Sequence, residues 1–144
     1  MVAGKYSLFV DTSGWIEVFG KNNPFHKRAR SILDRAVREG RPIITTNYVI
    51  VEFIGNAEKK CRLTRERLLE AVEGISNWPG IEIVHIGEES HARAITLLRG
   101  RLDKEWSLVD ATSFIVMEQR KIREALAHDR HFGQATPTGC ATSY

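Results

Sequence analysis

The chain has 144 residues, 42% of them hydrophobic and 27% charged, a size and balance that fit a single soluble globular domain over residues 1–144. Its 21 basic residues exceed its 18 acidic ones, for a net charge of +3. No apolar run is long enough to cross a membrane, the Met1–Ser7 start is too polar for a signal peptide, and two distant cysteines, Cys61 and Cys140, exclude a zinc-type cluster and imply no disulfide. The expected location is cytoplasmic.

Taken in chain order, Ser7–Val10 reads as a short buried strand ending at Asp11. Thr12 or Ser13 caps a short helix through Trp15, Ile16 and Phe19. Asn23-Pro24 then opens a longer helix, Asn as cap and Pro as first helical residue. Its apolar stripe is Phe25, Ala29, Ile32, Leu33, Ala36 and Val37, and Gly40 ends it. Pro42–Thr45 is a second strand. From Thr46 or Asn47 to about Ala57 runs a helix apolar nearly all round, which predicts burial.

Thr64 caps the next helix, with Leu68, Leu69, Val72 and Ile75 inward. Trp78-Pro79-Gly80 is a turn and Ile81–Ile86 a third strand. Glu88 to Gly100 is a helix, Leu102–Trp106 a charged connection, and Ser107–Gln119 a further helix. Glu124–Ala127 is a fourth strand, and Asp129–Phe132 a turn or short helix. This alternation of strands and helices predicts a three-layer α/β/α sandwich on a central, mostly parallel sheet.

Four acids stand apart from the rest. Asp11, Glu52, Asp110 and Asp129 each lie in or just after an apolar run, and no lysine or arginine adjoins the first three. A carboxylate near a core is costly unless a cation or several donors compensate it. In parallel sheets, ligands bind beyond the carboxyl ends of strands. Asp11 and Asp129 follow strand ends, while Glu52 and Asp110 occupy early turns of helices that face the same edge. Converging there, the four would hold a hard divalent cation, Mg²⁺ or Mn²⁺. Sequestering them leaves 21 basic residues against 14 acidic ones outside, a surface suited to a polyanion.

Each acid also has a local reading. Asp11 is placed to cap the next helix. Ser107-Leu108-Val109-Asp110 matches a capping box. Asp129 can pair with Arg130 or face solvent. Glu52, flanked by apolar residues on both sides, has no local task. Lys27, Arg28, Arg30, Arg35 and Arg38, with Lys21 and Arg41, form a basic set able to meet RNA phosphates or simply to solvate a helix. Trp106 is either a packing residue or a base-stacking one. The five histidines show no zinc spacing.

Asp11-Thr12-Ser13, Glu52 within Thr46–Glu52, the Trp106–Phe114 segment (Trp-Ser-Leu-Val-Asp-Ala-Thr-Ser-Phe) and Asp129 together resemble the PIN domain, and within it the VapC toxins of VapBC toxin–antitoxin pairs. The resemblance spans roughly residues 6 to 132. It implies a Mg²⁺- or Mn²⁺-dependent endoribonuclease with Asp11 and Asp110 as metal ligands. Glu52 and Asp129 would complete the acidic pocket, and Ser13 and Ser107 would orient the carboxylates. It further implies an RNA substrate (tRNA or rRNA), 5′-phosphate and 3′-hydroxyl products, a homodimer, and a cognate antitoxin partner. One departure is the tail: Thr136–Ala141 is a poor strand where the family often adds a last one.

Three other functions fit parts of the pattern. A PIN nuclease can process RNA without an antitoxin. A non-catalytic module would use the acidic pocket to receive a basic segment. A phospho-receiver domain would need paired acids after the first strand and an aspartate after the third, and here Asp11 stands alone and Ile86-Gly87-Glu88 supplies none.

Overall fold

A computed structural model of the chain describes residues 6–128, together with the backbone of residues 141–142. Among the described residues, five strands form one sheet in the order β3–β2–β1–β4–β5, every neighbouring pair parallel. The strands are β1 (Leu8–Val10), β2 (Ile43–Thr46), β3 (Ile81–Val84), β4 (Glu124–Leu126) and β5 (Ala141–Thr142). The helices are α1 (Thr12–Phe19), α2 (His26–Arg38), α3 (Asn47–Lys60), α4 (Arg65–Asn77), α5 (Glu88–Gly100) and α6 (Leu108–Arg120).

The central strand β1 is Leu-Phe-Val with all three side chains buried, as a strand covered on both faces requires. Leu8 stands opposite Ile43 on one side and Glu124 on the other. After β1 the chain steps to β2 and β3, then returns past β1 to β4. The order therefore reverses between β1 and β4, and at such a point a crevice opens beyond the strand ends. Trp15 of α1 is buried and its indole N–H donates to Thr45 Oγ1 (3.2 Å), whose hydroxyl donates to the Val10 carbonyl (2.9 Å). That relay ties α1, β1 and β2 together directly below the crevice.

Several local expectations are revised. Asn23 does not cap α2; its side chain accepts the Phe25 amide at 2.8 Å, an Asx turn that delays the helix to His26. Gly40 does close α2, at φ +70°, where a side chain would be strained. α3 is not buried all round: Val49, Phe53 and Ala57 form its inner face, while Val51 is 70% exposed. Leu69 of α4 likewise faces outward, since only Leu68 and Ile75 are buried there. A fifth strand, Ala141–Thr142, pairs with β4, while residues 136–140 of the stretch read as a poor strand lie outside the described residues, as does the Asp129–Phe132 turn.

α1 lies close against β4. A Cβ on Gly14 would sit 2.2 Å from the Leu126 carbonyl oxygen, a backbone atom with no room to retreat. Gly14→Ala is therefore expected to destabilise the fold by at least about 2 kcal/mol, read as a lowered thermal midpoint. Gly55→Ala, where a Cβ meets nothing within 4 Å, is the control and is expected to leave that midpoint unchanged or higher.

Candidate active site

Asp11 is the first residue past β1 and the N-cap residue of α1, but its side chain makes no capping hydrogen bond. Side-chain capping is thereby excluded as its role, and Asp11 is 3% exposed at the positive end of a helix. Asp110 keeps its local task. The Ser107 hydroxyl accepts the Asp110 amide (3.0 Å) and Asp110 Oδ2 accepts the Ser107 amide (2.9 Å), a complete capping box. At 7% exposure Asp110 is also desolvated, and the box fixes its carboxylate to the first turn of α6.

Both aspartates line a cleft of about 530 Å³ at the carboxyl edge of the sheet. Glu52, half-buried on α3, lines the same cleft, with Asn56 and Lys60 one and two turns along that helix. Three of the four acids singled out in the sequence are therefore brought together. Asp129 lies outside the described residues; its neighbour His128 lines the cleft. Ser13 and Ser107 line it too, and the Ser13 hydroxyl accepts the His128 backbone amide at 2.9 Å. A second groove, of about 520 Å³ between α2 and α4, is mainly apolar and contains none of these acids.

Two further acids on the cleft are not among those singled out. Glu105 is exposed at the rim. Glu17, one turn beyond Ser13 on α1, has a side chain only 5% exposed, with His128 Nδ1 3.8 Å from Oε1. Burial pushes its carboxyl up to about 7. A signal was present: Glu17 is the lone charge in the helix Thr12–Phe19.

Among the described residues, no three His, Cys, Asp or Glu side chains stand close enough together to enclose a metal. The donors on the cleft are mostly oxygens, with the His128 imidazole beside them. Asp11, Asp110 and Glu52 offer carboxylate oxygens. Beside them the buried Thr12 Oγ1 has no hydrogen-bond partner among the described residues. Three carboxylates with a spare hydroxyl suit a hard divalent cation.

Two candidate nucleic-acid contacts are employed elsewhere. Arg41 sits at the opposite, amino edge of the sheet, donating to the Tyr6 carbonyl (2.6 Å) and to Glu124 Oε2 (2.9 Å). Trp106 is buried, edge-on to Phe114 with ring centroids 5.1 Å apart. On α2, Arg30 and Arg35 pair with Asp34 and Glu39, whereas Lys27 and Arg28 make no ion pair among the described residues.

A parallel α/β sandwich with acids gathered at its switch point is the architecture of a PIN nuclease domain. The chain belongs to the PIN domain family, whose model matches residues 8–136. It is similar to the 23S rRNA-specific endonuclease VapC20 of Mycobacterium tuberculosis, in strains CDC 1551 / Oshkosh and ATCC 25618 / H37Rv, at 27% identity over 128 residues. That alignment covers 89% of this chain and 93% of the relative. The crystal structure of M. tuberculosis VapC20, described as a sarcin–ricin loop cleaving toxin, superposes with a TM-score of 0.79. The superposition covers 90% of this chain and 95% of that one at 27% identity.

Glu17 makes stability pH-dependent. Its pKa is raised on folding from 4.5 to about 7, so the folded state binds a proton that the unfolded state releases. Stability is therefore greatest below about pH 4.5 for this group and declines as pH rises toward 7. Glu17→Gln is expected to abolish that decline and to raise stability at about pH 8 by about 2–3 kcal/mol, measured by urea unfolding across pH without added metal.

Proposed function

We propose that the chain is a single-domain endoribonuclease that uses a divalent cation, Mg²⁺ or Mn²⁺, and acts as the toxin of a toxin–antitoxin pair. The observation that carries this reading is the meeting of Asp11, Glu52 and Asp110, from three separate elements, on one cleft of a PIN fold. Asp11 and Asp110 are the proposed cation ligands, with Glu52 and Asp129 completing the set directly or through water. A dication bound there supplies charge neutralisation at the phosphodiester and lowers the pKa of water in the site.

The chain's own residues do the rest. The capping box holds Asp110 in one orientation, so Ser107 acts on the carboxylate through the helix start. Ser13 acts on the other side, anchoring the residue before Asp129. Lys60, on the cleft wall, is placed to meet a phosphate. Glu52 has the greatest solvent access of the three described carboxylates. It is the one proposed to accept the proton of the attacking water. Water adds in line to phosphorus, the P–O3′ bond breaks and the departing O3′ takes a proton from solvent, leaving 5′-phosphate and 3′-hydroxyl ends.

The relative's description as a 23S rRNA endonuclease supports rRNA as the first substrate class to test, with tRNA second. A cognate antitoxin, a homodimer and a cytoplasmic site of action belong to the same proposal. Among the described residues no helix is long and apolar enough to cross a membrane.

Purified chain incubated with a mixed rRNA and tRNA pool is expected to yield discrete fragments with Mg²⁺ or Mn²⁺ and none with chelator. Asp11→Asn and Asp110→Asn are each expected to lower the rate by roughly 100- to 1,000-fold. The Asp110→Asn side chain retains an oxygen for the Ser107 amide, so circular dichroism and thermal midpoint stay near wild type. Wild-type cleavage by both variants would overturn the proposal.

A further inference from the structure

One wall of the cleft changes charge along its length. Glu52, Asn56 and Lys60 of α3 line it at helical spacing, so Lys60 stands about 12 Å beyond Glu52 along the helix axis. Past that point the chain turns basic, with five cations against two acids between Glu58 and Arg67. Arg65 pairs with Glu58 at 3.2 Å. Lys59, Lys60 and Arg62 are exposed and make no ion pair among the described residues.

The end of α3 is fixed. Cys61 is buried, its amide donates to the Ala57 carbonyl (2.8 Å) and its thiol to the Ile16 carbonyl (3.3 Å). That contact pins α3 to α1. A Cβ on Gly20 would lie 3.4 Å from the Cys61 sulfur, so the turn carrying exposed Lys21 abuts the same anchor. Arg62 follows with a left-handed backbone, φ +53°, at the position after a helix that usually takes glycine. Arginine there carries a conformational cost that glycine avoids. Among the described residues one other non-glycine shares this backbone. Lys121, at φ +55° after α6, is also basic and exposed, but it lies just before β4, at the amino edge of the sheet. A cation is favoured at any helix C-terminus, which accounts for Lys121. It does not account for the accumulation of unpaired cations around Arg62 at the end of the cleft.

We infer that Arg62, with Lys60 and Lys21, forms a phosphate clamp that grips the RNA strand where it leaves the cleft past the end of α3. This rests on the endoribonuclease reading and adds to it a fixed point of contact away from the acids. The left-handed turn and the Cys61 anchor hold the clamp in place before binding, which limits the ordering cost on association. Phosphates carry no base identity, so the clamp supplies affinity and position and leaves sequence choice to other contacts.

The test measures binding of a fluorescently labelled, mixed-sequence RNA to the full chain carrying Asp110→Asn, which prevents cleavage, over a range of KCl concentrations. Adding Arg62→Gly is expected to weaken binding roughly fivefold and to reduce the slope of log affinity against log salt by about 0.7 to 0.9, the share of one phosphate contact. Its thermal midpoint is expected to stay level or rise, because glycine relieves the left-handed backbone. Arg62→Lys is expected to retain the slope. Lys121→Gly makes the same change of charge and backbone at the opposite edge, and is expected to leave affinity and slope unaltered. Equal losses in the Arg62→Gly and Lys121→Gly variants would reduce the effect to net charge and overturn the clamp, as would an unchanged slope in Arg62→Gly. Polyglutamate is the second probe. If Arg62→Gly weakens its binding as much as that of RNA, the cations receive an acidic polypeptide and the assignment to RNA is overturned. Metal-dependent cleavage by the wild-type chain separates the clamp from the nuclease reading. If cleavage persists while the clamp fails, the nuclease reading stands; if cleavage is absent while the Arg62 effect on RNA binding holds, the clamp stands and the nuclease reading falls.

Discussion

Desolvation of two carboxylates governs the arrangement of this molecule. Asp11 and Asp110 are withdrawn from water in the floor of one cleft, and an isolated buried carboxylate costs several kcal/mol. The fold offsets part of that cost through helix starts. Asp11 stands at the N-terminus of α1 and Asp110 in the first turn of α6, where amide dipoles favour negative charge. The short parallel strands, the reversal of strand order beside β1 and the tight seating of α1 on β4 bring those two helix starts together.

The two edges of the sheet divide the work. At the amino edge Arg41 joins the carbonyl of Tyr6 to the carboxylate of Glu124, fastening β4 to the segment before β1. At the carboxyl edge the corresponding fastening is the Ser13 hydroxyl on the His128 amide. Both contacts clamp the same pair of strands, β1 and β4, and the cleft opens where those strands end. The geometry at the site thus depends on ties at both ends of two three-residue strands.

Much of this was legible in the sequence, and the exceptions share a cause. Asp11, Glu52 and Asp110 were conspicuous because each interrupts an apolar run, and an acid in such a run needs a reason. Thr46, Thr64 and Ser107 marked helix starts because capping is a local interaction. Glu17 stood out only as the lone charge of α1, too little to mark it as a site residue. An acid on a short helix ordinarily faces water, and it is tertiary packing that buries this one. Val51 and Leu69 misled in the opposite direction: apolar composition suggested burial, but each helix has one inner face and these residues are not on it. Phe25 was assigned to a stripe by its spacing, whereas the Asx turn at Asn23 places it before the helix and turns its ring toward His128. In each case the deciding contact lies far away in sequence or depends on an irregular turn.

The pairing of β1 with β4 joins Leu8 to Glu124, and the bond from Ser13 reaches residue 128. Almost the whole chain lies between the two walls of the cleft. A polypeptide emerging from the ribosome can assemble α1 to α4 around β1, β2 and β3 while the β4 side is still missing. Loop closure over such a separation also makes that docking slow compared with the local helices. The cleft is therefore among the last parts of the molecule to exist. During synthesis Asp11 and Glu52 emerge well before Asp110, and the cleft cannot close until the α6 and β4 segments have been made.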